Sequence, residues 1–221
     1  MARKARFYQG QGNLQESARL LSGINEQTPS PFAFDVKIDQ LTFERNYGEA
    51  IRLYQDRIAQ FHYGSASDKA NYKVALALTQ RLAGDTAGAK VTAEQARNTL
   101  EQLCRDQPDN PRNAADLSEA YALMGERDLA LKAAERAVML LPRAKDSMSG
   151  PTYEENLALI QTIVGENDHA ISTLTQLLQT AYFGTWYSPE PITPAFLRLD
   201  PIWDPLRPDP RFQKLCEEKQ N

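Results

Sequence analysis

The chain has 221 residues, 42% of them hydrophobic, enough for one or two domains with a sizeable core. A formal net charge of -4 argues against nucleic acid as the main partner. No apolar run approaches the roughly 18 residues that a membrane span needs, which excludes insertion by a helix.

The first stretch, residues 1–29, reads as a shortened helical hairpin turning at Gly12, with a first helix of about ten residues. Met1 to Lys4 is basic, but no apolar segment follows, so no signal peptide is read there. The helical pattern begins abruptly, as in a piece of a longer protein. Arg3, Lys4 and Arg6 form a small basic run, expected to be a solvated end. The second unit, residues 31–62, opens at Pro31 and runs in two helices, to about Glu44 and from about Tyr47 to His62. Arg45-Asn46 stands where the other units place a glycine. Asn tolerates the left-handed conformation that such a turn needs.

The third unit, residues 66–107, is capped by Ser67-Asp68 and turns at Gly84. Its second helix carries Ala89, Ala93 and Ala96 and continues to about Asp106, before Pro108 and Pro111 break the chain. The fourth, residues 111–142, turns at Gly125. Its second helix carries Ala130, Ala134 and Ala137 and stops at Pro142. Small residues four and three apart fall on one helix face, and such a face lets two helices approach closely. The fifth unit, residues 152–182, turns at Gly165 and carries Ala170, Leu174 and Leu177. Tyr8, Gly12, Ser17, Leu21, Ile24 and Pro29 keep the same spacings as Tyr121, Gly125, Ala130, Ala134, Ala137 and Pro142.

Residues 183–221 differ, holding seven of the thirteen prolines. Thr193-Pro194, Asp200-Pro201, Asp204-Pro205 and Asp209-Pro210 each set a capping side chain before a proline, a pairing that starts a helix. Short turns and helices are expected, the last from Pro210 to about Glu218. Trp203, Leu206 and Phe212 are expected to cover the last apolar face of the stack, and Trp186 and Tyr187 are candidates for an aromatic contact at the mouth of a groove.

The spacing of Leu117, Ser118, Tyr121, Ala130, Ala134 and Pro142 resembles the tetratricopeptide repeat. Ala114 stands where that family prefers Trp, Ser118 replaces Gly, and Ala134 replaces an aromatic. The segment from Leu197 to Phe212 looks like the C-terminal tail of bacterial signalling proteins that carry such repeats behind an effector domain: serine/threonine kinases, cyclase-like proteins and winged-helix regulators. The resemblance implies an all-α fold, a right-handed α-solenoid of about ten helices closed by a Pro-rich tail. It also implies a concave groove lined by the first helices of the hairpins. Candidate contacts there are Asp35, Asp39, Asn71, Arg81, Arg112, Asp116, Glu119, Glu155 and Asn156. The family's clamp for a peptide carboxylate is not matched, since the comparable places hold Val74 and Leu78, then Ala115 and Glu119.

Catalysis has little raw material. The only histidines are His62 and His169, and no Cys/His cluster has metal-ligand spacing. No phosphate loop, nucleophile elbow or kinase motif occurs. Glu154-Glu155 and Glu217-Glu218 are adjacent, so their side chains diverge on a helix, and solvated faces are expected. Together with this lack, the resemblance implies a non-catalytic scaffold without a cofactor, binding a protein, a peptide or an upstream effector domain. Small-molecule sensing and self-association as a homodimer are the other classes kept open. Cys104 and Cys216 are too few and too far apart to decide a disulfide. They fit a reducing, cytoplasmic place, although resembling proteins also carry such repeats outside the membrane.

Overall fold

The computed structural model describes residues 1–61, 63, 65–184 and 191–217. Among these the regular structure is helical throughout, without a strand. Ten helices pair into five hairpins: α1 (Ala2–Gly10) with α2 (Leu14–Leu20), α3 (Pro31–Phe43) with α4 (Tyr47–Gln60), α5 (Ala66–Leu82) with α6 (Thr86–Asp106), α7 (Pro111–Met124) with α8 (Arg127–Leu140), and α9 (Gly150–Val164) with α10 (Asn167–Leu177). The tail adds α11 (Pro194–Leu199), a 3-10 helix (Pro201–Leu206) and α12 (Pro210–Leu215). No helix of the described residues is long and apolar enough to cross a membrane.

One local device makes all five hairpins. Gly12, Arg45, Gly84, Gly125 and Gly165 have positive φ. The next residue's N–H reaches back five places to a carbonyl: Asn13 to Tyr8, Asn46 to Leu41, Asp85 to Gln80, Glu126 to Tyr121 and Glu166 to Gln161, at 2.7–2.9 Å. This left-handed closure satisfies carbonyls that the ending helix leaves orphaned. Arg45 adopts it at φ 59° without the freedom of glycine. Asn13, Asn46 and Asp85 then cap the following helix through the N–H of Glu16, Glu49 and Gly88.

Consecutive helices pack on one another, and α1–α3, α5–α7 and α7–α9 also touch, so the odd-numbered helices make an inner layer. The even-numbered helices meet it through small residues. Ala89, Ala93 and Ala96 of α6 are buried among Val74 and Ala77 of α5 and Leu117 and Ala120 of α7. On α8, Ala130 and Ala134 pack with Ala122 and Ile160, and Ala137 packs with Ala114 and Ala115. In the first and second hairpins the same register places hold Ser17, Leu21 and Ile24, then Ala50, Tyr54 and Arg57.

The tail does more than cover the last hairpin. Trp203, Leu206 and Phe212 are buried in one cluster with Ala158 of α9 and with Leu174 and Leu177 of α10. Its other side reaches the start of the chain. The Phe196 ring lies 6.0 Å from that of Phe43, and the Arg6 guanidinium stands over it at 4.3 Å. Arg45 donates to the Leu199 carbonyl at 2.8 Å and pairs with Asp204 at 3.1 Å. An open trough is the sequence-based expectation, but the tail crosses the inner face and joins the first hairpins to the last. Burial of Trp203, Phe196 and Phe212 drives this closure.

Smaller corrections follow the same contacts. Thr193, Asp200 and Asp209 cap the tail helices, accepting from Phe196, Ile202 and Arg211 N–H. Asp204-Pro205 starts nothing, because Pro205 lies inside the 3-10 helix. The helix α4 ends at Gln60 rather than residue 62. The last helix, α12, ends at Leu215 rather than residue 218.

Candidate functional site

Among the described residues, three cavities hold most of the candidate groove residues. One of about 470 Å³ lies between α3, α7, α9 and the chain after α10. Phe32, Ala115, Tyr153, Leu159 and Phe183 wall it, and Asp35, Arg112, Asp116, Glu119 and Asn156 supply its polar groups. Five residues from the sequence-based groove thus meet in one place. Helical spacing explains the set: Arg112, Asp116 and Glu119 are four and three apart on α7, so one face presents all three. Asn156 donates to Glu119 at 2.9 Å and accepts from the Ser118 hydroxyl at 3.1 Å. Arg112 lies 3.7 Å from Asp116. Burial nevertheless pushes the Asp116 carboxyl up to about 6, against the pull of Arg112 and the nearby Asn71 amide. Burial, reinforced by the charge of Asp39, raises Asp35 to about 8, although Arg57 opposes it.

A second cavity, about 110 Å³, sits under the tail and gathers Arg6, Asp39, Glu155 and Asp200. Arg6 is 1% exposed and pairs with Asp39 at 2.8 Å, so it is a buried hub and not part of a solvated basic end. Asp39, 21% of whose side chain stays accessible, lines this cavity. Burial raises Asp39 to about 7, with Arg6 opposing and Asp200 adding to the rise. Glu155 is raised to about 8 by burial, even though the Tyr182 hydroxyl donates to it at 2.6 Å. That hydroxyl in turn accepts the Ile192 N–H at 3.1 Å. The solvated pair Glu154-Glu155 expected from sequence is therefore split: Glu154 pairs with Arg143 at the surface, and Glu155 is 6% exposed inside. Asp200, raised by burial to about 6, accepts the Ile202 N–H.

The third cavity, about 180 Å³, lies beside α4 and α5 and is lined by Asp35, Tyr54, Arg57, Phe61, Tyr63, Asn71 and Tyr72. Arg57 is fully buried there, its guanidinium 4.2 Å from the Phe34 ring and 3.9 Å from that of Phe61. Its Nη1 donates to the carbonyls of Glu26 and Thr28, both at 2.9 Å. Sequence reasoning missed Arg57. The signal was present, since Ile24, Ala96, Ala137 and Leu177 fill the same register place in the other hairpins. Tyr182 and Asp200 were missed too, and nothing local marks them.

The remaining candidates fall elsewhere. Asn71 belongs to the third cavity. Arg81 donates to the Ile163 carbonyl at 3.2 Å and ties α5 to the end of α9. Trp186, Tyr187 and His62 lie outside the described residues. His169 is exposed on α10, its Nδ1 3.1 Å from a Glu166 carboxylate oxygen. Cys104 and Cys216 are both free. Among the described residues no group of three or more His, Cys, Asp or Glu is arranged to hold a metal ion. The chain matches no protein-family model and no curated protein.

Proposed function

We propose that this chain is a non-catalytic protein- or peptide-binding module, a tetratricopeptide-like stack whose own tail fills most of the groove. The observation that carries this reading is the 470 Å³ cavity left on the inner face. Pockets that hold a compact group have this size, apolar walls and a few converging polar atoms. Asp116 and Glu119 outnumber Arg112 there, and Asp35 adds a further polar group, which suits a basic side chain of a partner. Phe183, 60% exposed at the rim, offers an apolar rest for the residue beside it. The tail's likeness to bacterial signalling proteins makes an effector domain of the same polypeptide the first partner to try.

The carboxyls of the central cavity support closure rather than turnover. Asp39 is held by Arg6, Glu155 by Tyr182 and Asp200 by the Ile202 amide. A general acid or base must instead reach a substrate proton. A second reading, small-molecule sensing, is favoured by one feature: the large cavity spans α3 and α9, which are far apart in sequence. A ligand there would bias how tightly the first and last hairpins close.

Display selection of random peptides on the full chain tests the proposal. Enrichment of a lysine or arginine beside an apolar residue is expected. It should be lost in the Asp116→Asn, Phe183→Ala double variant. Peptides recovered equally well by that variant would remove the cavity from the account.

A further inference from the structure

Arg57 is the one guanidinium at a register place that the other hairpins fill with Ile24, Ala96, Ala137 or Leu177, and it is buried with no carboxylate of the described residues in salt-bridge range. Burying a cation without such a partner is expensive. The aromatic faces of Phe34 and Phe61 and the two loop carbonyls offset part of this. They leave one edge unused: Nε and Nη2 are shielded from solvent and make no hydrogen bond of normal geometry. These two N–H groups form the side-on fork that matches the two oxygens of a carboxylate.

The same cavity collects further donors in the same condition. The Tyr63 hydroxyl and the Asn71 Nδ2 line it, and both are shielded and without a hydrogen bond of normal geometry. Arg57 does reach the Tyr72 hydroxyl, and Asn71 the Asp116 carboxyl, in weak, poorly aligned hydrogen bonds that oppose the rise burial gives each acceptor's pKa. Buried donors without acceptors are uncommon in folded proteins, and their convergence on one cavity calls for an acceptor-rich guest.

We infer that this cavity is a second binding site, for a small planar monocarboxylate seated side-on against Arg57 Nε and Nη2 with its ring among Tyr54, Phe61 and Tyr72. A volume of about 180 Å³ suits this guest, since an apolar cavity of about 150 Å³ accommodates a benzene ring. Asp68 on the lining disfavours a dianion such as phosphate. Asp35, raised to about 8 by burial, carries a proton at neutral pH and can donate rather than repel. The site shares Pro31 and Asp35 with the partner cavity, but its donors Arg57, Tyr63 and Asn71 are its own and do not rest on the reading of that cavity.

Benzoate is the probe, titrated into the full chain by calorimetry at neutral pH, with benzamide as its uncharged counterpart. Saturable benzoate binding is expected, with benzamide at least tenfold weaker. Arg57→Lys keeps the charge but loses the fork, and should weaken benzoate at least tenfold at unchanged helix content. Asn71→Leu removes one donor without touching Arg57, and should weaken benzoate several-fold; it decides the matter if the lysine variant does not fold. Absence of saturable benzoate binding, equal binding of benzamide, or parental affinity in a folded variant overturns the inference.

Discussion

The outer seam of α6 and α8 and the closure around Arg6 are held together by opposite means. Along the seam, six alanines at one register are at most 1% exposed, and they carry no polar side-chain atoms. The closure brings Arg6 of α1, Asp39 of α3, Glu155 of α9 and Asp200 of the tail to one small cavity. The seam works through closeness: with only methyl groups between them, helices pack tightly and any added volume is felt. The closure works through burial of large tail side chains, which carry a group of carboxyls into the interior with them. The seam therefore fixes how neighbouring hairpins stack, whereas the closure fixes how far the stack curls.

Removing the closure's anchor is the severest way to break this contrast. Trp203→Ala should lower stability by about 3–5 kcal/mol, because it empties a buried indole site between α9 and the tail. Denaturant unfolding gives the value. A loss below about 1 kcal/mol would mean that the tail rests on the stack without organising it.

Overfilling the seam comes next. Ala134→Leu should lower stability by about 1–3 kcal/mol, since Ala134 is 0% exposed against Ala122 and Ile160. A leucine at the exposed end of the same helix, Met139→Leu, should change little. The melting temperatures of the two variants make the comparison.

The gentlest probe is pH. Burial raises Asp35, Asp39 and Glu155 to about 8, 7 and 8, and Asp116 and Asp200 to about 6, from ordinary carboxyl values of 3.8 to 4.5. Above the unfolded values the folded chain keeps protons that the unfolded chain has released. Stability is then largest below about pH 4 as far as these groups go, and falls as pH rises to about 8. Partly exposed carboxylates held low, such as Asp146 and Asp209, act in the opposite sense but are screened by solvent. Glu155→Gln should therefore add on the order of 1 kcal/mol or more at pH 8 and little at pH 4, with Tyr182 still donating to the amide oxygen. A variant that gains nothing at pH 8 would show that Glu155 is charged and well solvated inside.

The turns were readable from sequence because their cause is local. A positive φ after the last residue of a helix favours glycine, and four of the five positions supply one within six residues of the closing hydrogen bond; at the fifth Arg45 takes the conformation, and Asn46 caps the next helix instead. The alanine places of α6 and α8 were readable for the same reason, through helical spacing. Part of the candidate site was readable too: Asp35, Arg112, Asp116, Glu119 and Asn156 do share one cavity. Arg6 was not. As one of three basic residues near a terminus it looks solvated, and only its meeting with Asp39 and Phe196, 33 and 190 residues away, makes it interior. Arg81 failed in the other direction, since the Ile163 carbonyl that holds it belongs to a different hairpin.

What the sequence by itself determined, then, is the hairpin: where each helix stops, how the chain reverses and which face is thin enough to be covered. These follow from backbone sterics and side-chain size over a few residues. Only the tertiary structure decided the curl of the stack, the path of the tail and which charged residues lose their water. Those outcomes depend on the apolar area that distant segments bury together, and no local pattern records it.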